Sequence, residues 1–114
     1  RILWGRGWAG GGAPPYWPWT QALRDALPPA SSDEPAGQFR FFEAVTQALR
    51  DQTAAQPLLL VLDDLQAADE ASILLLEFVA TELPEMSALV VALGRPETAR
   101  LDELERHATR TVRL

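Results

Sequence analysis

Apolar residues fall along this chain in blocks of two kinds. The first kind is a short, unbroken run. Leu58–Leu62 reads LLLVL and 88–93 reads ALVVAL, and Ile2–Trp4 is a shorter block of the same type. Continuous apolar runs of this length, bounded by breakers, fit strands buried on both faces of a parallel sheet. Pro57 sits at the start of the central run, a position a strand tolerates. The second kind is spaced at helical intervals. Trp19, Leu23, Ala26 and Leu27 form one such stripe, opened by Pro18 and stopped at Pro28-Pro29. Phe39, Phe42, Val45 and Leu49 form another over about Ala36–Ala54, with Phe41 off the stripe and free to cover a neighbour. Ile73, Leu74, Leu76, Phe78, Val79 and Leu83 cover more than one face of a third, which Asp69 is placed to cap and Pro84 ends. A fourth helix opens at Pro96-Glu97 and carries Leu101 and Leu104; Thr111–Leu114 reads as a last strand. Strands alternating with helices predict an α/β fold, with a parallel sheet covered on both faces.

The central run ends abruptly in Asp63 and Asp64. An uncompensated buried charge costs several kcal/mol, so two adjacent acids belong at the carboxyl end of the strand, where the sheet opens. Ligands of open α/β sheets bind at that edge. An apolar strand tipped with acids is therefore a candidate site for Mg²⁺ and a phosphate, the physical content of a Walker B motif. The 88–93 run ends in Gly94-Arg95-Pro96-Glu97, so Arg95 would share a crevice with the acids if the two strands are neighbours. The plain alternatives are a solvated acidic turn for Asp63-Asp64, a helix cap for Asp69 and a surface cation for Arg95.

Gly5-x-Gly7-x-x-Gly10 matches the letters of a dinucleotide fingerprint. That motif must open a helix at the pyrophosphate. Here the glycines run into Ala13-Pro14-Pro15, so a flexible loop is expected instead. The run is not a phosphate-binding loop either, because no Lys-Ser/Thr follows it. Tyr16, Trp17 and Trp19 read as wedges holding this loop to the domain, with a partner-docking knob as the alternative.

Composition narrows the chemistry. The 114 residues suit one domain or part of one, and 47% are hydrophobic, enough for a core. A net charge of −6 makes the segment a poor ligand for nucleic acid. With no cysteine and only His107, thiol and histidine metal sites are excluded. No apolar run approaches the roughly 18 residues of a membrane helix, and no signal peptide is evident; a cytoplasmic location is expected. All ten basic residues are arginine, and the chain starts at Arg1, which reads as an excerpt from a longer polypeptide.

PLLLVLDDLQAADEASILLLEFVATEL followed by ALVVALGRPE resembles the middle of the ATPase domain of large LuxR-type transcriptional regulators. The same domain accompanies adenylate/guanylate cyclases and serine/threonine kinases, within the signal-transducing NTPases of the AAA-like P-loop class. GAPPYWPW and RFFEAV are similar to that family too, so the likeness spans nearly the whole chain. It implies a three-layer, parallel-sheet P-loop NTPase fold that is incomplete over residues 1–114, because the first P-loop strand and the Walker A loop lie upstream. Ile2–Trp4, Leu58–Leu62 and Leu89–Leu93 should pair in that order. Thr111–Leu114 should lie beyond the place of the missing strand, there to float, fray or slide into the vacancy.

The resemblance also implies roles. Asp63 would hold Mg²⁺, and Asp64 would orient or deprotonate the water that attacks the γ-phosphate of ATP. Asp69, counted with Asp63 as a cofactor-binding residue, would shape the loop after Walker B, and Arg95 would sense the γ-phosphate. The family's usual His-Trp after the acids is Gln66-Ala67 here, and the polar residue often found two before the sensor arginine is Leu93. The implied partners are ATP and neighbouring domains of the same polypeptide, with self-association left open and neither nucleic acid nor membrane touched directly. Two other readings compete. A degenerate NTPase kept as an interaction scaffold would draw on Gln66, Ala67 and Leu93. A phosphoacceptor domain would need a lysine that the chain lacks.

Overall fold

A computed structural model describes residues 1–29 and 34–113. Ala30 to Asp33 of the expected linker, and Leu114, lie outside the described residues. Three strands, β1 (Ile2–Arg6), β2 (Leu58–Asp63) and β3 (Ala88–Ala92), form one parallel sheet in the order β1-β2-β3. Ile2 pairs with Leu59, and Leu59 with Leu89. The α/β class and the order of the three strands are as the sequence predicts.

β2 is central, with Leu58, Leu60, Val61 and Leu62 all buried. The helices are α1 (Trp17–Leu23), α2 (Pro35–Ala55), α3 (Glu70–Ala80) and α4 (Leu101–His107). Leu58, Leu60 and Leu62 point into one cluster with Trp19, Phe42, Val45, Leu49, Ile73 and Val79, and Leu3 and Val90 pack at its margin. The other face carries Ile2, Trp4, Leu59, Val61, Leu89 and Val91, because registered residues of a parallel sheet share a face. Ile2, Trp4 and Leu89 are more than half exposed there. Cover on both faces was expected, yet two of the three layers are built by the described residues. The reason is handedness. Parallel crossovers are right-handed, and β1→β2 and β2→β3 step the same way across the sheet, so their helices land on the same side.

Several boundaries differ from those predicted, each for a local reason. α1 ends at Leu23 and gives way to a 3-10 turn over Arg24–Ala26, because Leu27 precedes Pro28 and must be extended (ψ 121°). α3 stops at Ala80 rather than Leu83. One more turn would require Pro84 to donate an N–H to the Ala80 carbonyl, which proline lacks. On α2 the buried arc is Phe41, Phe42, Val45, Thr46 and Leu49. Phe39, expected inside, is half exposed and meets Phe78 edge-on at 5.7 Å. α4 begins at Leu101, not at Pro96-Glu97, which form a turn. Arg100 precedes it in the left-handed region (φ 57°) and fixes α4 to α3 through Glu77, 2.6 Å from its Nε. That hydrogen bond pushes the guanidinium pKa still further up, so the charge persists at any ordinary pH. Thr111–Arg113 join no strand and are exposed, so the last strand expected there is not formed by the described residues. Among the described residues no helix is long and apolar enough to cross a membrane.

The glycines of the N-terminal motif are not a flexible loop at their start. Gly5 lies within β1 and is buried, and Gly7 is buried just after it. A Cβ on Gly5 would run into the Pro18 carbonyl of α1, and one on Gly7 into the Asp64 carbonyl. The absence of side chains lets α1 and the acid loop close onto β1. Gly5→Ala is expected to cost about 2–3 kcal/mol, because the obstacle is backbone rather than a side chain that can turn away. A urea unfolding curve checks this; an unchanged midpoint would mean that α1 is not seated on β1 as described.

Candidate functional site

The acids come to the sheet rim by strand register. Asp63 is the last residue of β2 and pairs with Arg6, the last residue of β1. The Asp63 carbonyl accepts the Gly7 N–H at 2.9 Å, which carries the ladder one step past the strand. At Asp64 the chain turns sharply into the left-handed region (φ 53°, ψ 44°) and enters a 3-10 turn over Leu65–Ala67. A left-handed aspartate is tolerated where its short side chain bonds locally. Leu65 donates its N–H to the Leu93 carbonyl at 3.0 Å, so the acid loop is tied to the end of β3 as well.

Every oxygen of the two carboxylates has a nitrogen beside it. The Asp64 N–H donates to Asp63 Oδ1 at 2.8 Å. Arg6 reaches both acids, with Nη2 at 3.3 Å from Asp63 Oδ2 and Nε at 3.2 Å from Asp64 Oδ2. Gln66 Nε2 donates to Asp64 Oδ1 at 3.4 Å. Asp63 is the more enclosed acid, with 19% of its side chain exposed against 44% for Asp64. The more enclosed carboxylate is thus the one at the end of the strand.

Arg95 stands at the same rim, after β3. Its backbone N–H donates to Gln66 Oε1 at 3.3 Å. Gln66 therefore spans from Asp64 to the Arg95 backbone, a bridge that its amide can make because it both donates and accepts. The Arg95 side chain is exposed and carries no ion pair among the described residues. The neighbouring strands bring Arg95 to the rim that carries the acids, but the cation on the acids is Arg6 rather than Arg95. Sequence reading ended the first strand at Trp4 and left Arg6 in a loop. The register, with Ile2 beside Leu59, is what places Arg6 opposite Asp63, and no pattern in the sequence carries it.

Asp69 does not join the pair. It caps α3, with Oδ1 accepting from Ser72 Oγ at 2.6 Å and Oδ2 from the Ser72 N–H at 3.3 Å. Oδ2 also accepts the Tyr16 N–H at 3.4 Å. It thereby shapes the loop behind the acids by tying it to the start of α1. Tyr16 packs on Phe41 at 4.7 Å, Trp17 meets Trp8 edge-on at 5.2 Å, and Trp19 is fully buried. The wedge reading of the aromatic stretch describes them.

The donor set fits Mg²⁺. Hard carboxylate oxygens are what this ion takes, and it is commonly bound by one or two carboxylates with water and substrate phosphates completing an octahedron. Among the described residues no group of three or more acidic or histidine side chains gathers around one point, so an all-protein cage is not on offer. Two carboxylates at a rim hold such an ion weakly by themselves and tightly when a phosphate shares it.

Comparison with known families returns one finding. A family model described as AAA ATPase domain matches residues 13–92. The matched span includes Asp63, Asp64 and Asp69 and ends before Arg95. No curated protein and no solved structure matches the chain.

Proposed function

This chain belongs to the AAA ATPase domain family, and from that premise we propose that its sheet rim is the metal- and water-handling half of an ATP site in a signalling switch. The observation that carries this reading is the pairing of a half-buried Asp63 with a more exposed Asp64 at the carboxyl end of the central strand. Bound Mg²⁺ would neutralise charge on the β- and γ-phosphates and orient them for in-line attack. Asp63, the enclosed acid, is the ligand for that ion. Asp64, the more exposed of the two, would orient or deprotonate the attacking water. Arg95, whose exposed side chain has no ion pair among the described residues, would reach the γ-phosphate. Asp69 acts at a distance, as the cap that holds the loop in place.

Gln66 speaks against a degenerate scaffold. The residue that stands in for the family's histidine keeps a polar contact to Asp64 and links it to the Arg95 backbone. The multidomain context, a transcriptional regulator of the LuxR type, rests on resemblance alone and is part of the proposal.

The triphosphate also needs a cradle of backbone N–H groups and a lysine. The chain has no lysine, and we assign that cradle to a Walker A loop outside these 114 residues. ATP titrated into residues 1–114 alone, followed by calorimetry, should therefore show no tight binding and no phosphate release. Joined to a Gly-Lys-Ser/Thr loop, the same residues should bind Mg-ATP, and Asp63→Asn should weaken that binding about tenfold or more. Tight ATP binding by the 114 residues alone, or indifference of the joined form to Asp63→Asn, would overturn the reading.

A further inference from the structure

We infer that Arg6 sets the divalent-cation affinity of the acid pair, by holding the place of the cation until metal displaces it. The inference rests on reading Asp63 and Asp64 as a cation site. Arg6 sits opposite Asp63 in the ladder and points its guanidinium between the carboxylates, with Nη2 on Asp63 and Nε on Asp64. One side chain thus bridges both acids, and it does so from a neighbouring strand rather than from the acid loop itself. Of the four carboxylate oxygens, two are held by Arg6 and the other two by the Asp64 N–H and Gln66. A metal ion approaching Asp63 Oδ2 competes with Arg6 Nη2 for that oxygen's lone pairs and for the space beside it. The charges also compete: a unit positive charge a few ångströms from a divalent ion repels it.

Arg6 can leave without unfolding anything. Its side chain is 60% exposed, and its backbone stays fixed by the ladder and by its N–H, which donates to Gln21 Oε1 at 2.8 Å. Release is therefore a rotamer change on a rigid strand end. A guanidinium freed at this rim lies beside the phosphates that a bound metal would bring, and its planar fork suits them. Arg6 is thus a positioning residue in the resting site. It keeps two like charges compensated and their carboxylates oriented until the metal–phosphate pair arrives.

The test is Mn²⁺ binding, read by the electron paramagnetic resonance signal of the free ion, on residues 1–114 as wild type, Arg6→Gln, Arg6→Lys and Asp63→Asn. Coulomb repulsion in water, discounted for screening, predicts that Arg6→Gln binds Mn²⁺ about three- to tenfold more tightly. Arg6→Lys, which keeps the charge but not the fork, should fall between it and wild type. A second readout is the Arg6 Nε–Hε resonance. It should shift on Asp64→Asn, and on addition of Mg²⁺ it should move to the position of a solvated arginine. If Asp63→Asn abolishes Mn²⁺ binding but Arg6→Gln leaves it equal or weaker, the role of Arg6 is refuted and the acid site stands. If neither wild type nor Arg6→Gln binds Mn²⁺ in an Asp63-dependent way, both readings fall.

Discussion

Trp19→Ala is expected to remove about 3–5 kcal/mol of stability, a large share of the roughly 5–15 kcal/mol that a domain has to lose. Trp19 is fully buried at the junction of α1, α3 and the sheet. Truncation leaves a cavity too large to collapse, since its walls are a strand and two helices. It also orphans a carbonyl. The indole N–H donates to the Ser72 backbone oxygen at 3.0 Å, and a buried acceptor left unpaired adds about 1 kcal/mol or more. Ser72 is the residue that Asp69 caps, so the same contact steadies the loop that carries the acids. Trp19→Phe separates the two terms. It keeps most of the ring volume and should cost only about 1–2 kcal/mol. Urea denaturation followed by far-UV circular dichroism measures both. A loss below about 1 kcal/mol for Trp19→Ala would show that α1 is peripheral to the core.

The rim depends on the core in this way because three separate ties meet behind it. Gly7 admits the Asp64 carbonyl, Leu65 bonds to the end of β3, and Asp69 bonds to Ser72 and Tyr16. None of these residues touches a substrate in the proposed chemistry. They decide where Asp63 and Asp64 point.

The strands were legible because their burial leaves a strong trace. Leu58–Leu62 can only be so uniformly apolar if both faces are covered or crowded, and the two acids can only follow it at an open edge. The helical stripes were legible for the same reason at a different period. What the sequence hid was decided by contacts between distant segments. β1 runs on through Gly5 and Arg6, neither of which favours a strand, because the β2 ladder pairs them. Burial of Phe41 rather than Phe39 follows from the angle at which α2 meets Tyr16 and α3, which no single stripe encodes. The bare sheet face is a consequence of crossover direction, legible in principle once the order β1-β2-β3 is known. At the site, Asp63 and Asp64 were placed correctly at the rim and Asp69 resolved into its cap. Arg6 was missed through a strand ended two residues early.

The second large effect concerns Asp64, and it bears most directly on the account. An orienting or deprotonating carboxylate contributes to the chemical step and little to the ground-state grip on nucleotide. Its loss should therefore lower turnover by about 10²–10⁴-fold while binding persists. The measurement is single-turnover ATP hydrolysis, with nucleotide affinity determined in parallel, on a polypeptide that joins this chain to a Gly-Lys-Ser/Thr loop, as wild type and as Asp64→Asn. The account predicts Mg²⁺-dependent hydrolysis in the first and its collapse in the second at a nearly unchanged ATP affinity. Hydrolysis that survives Asp64→Asn at the wild-type rate would contradict it.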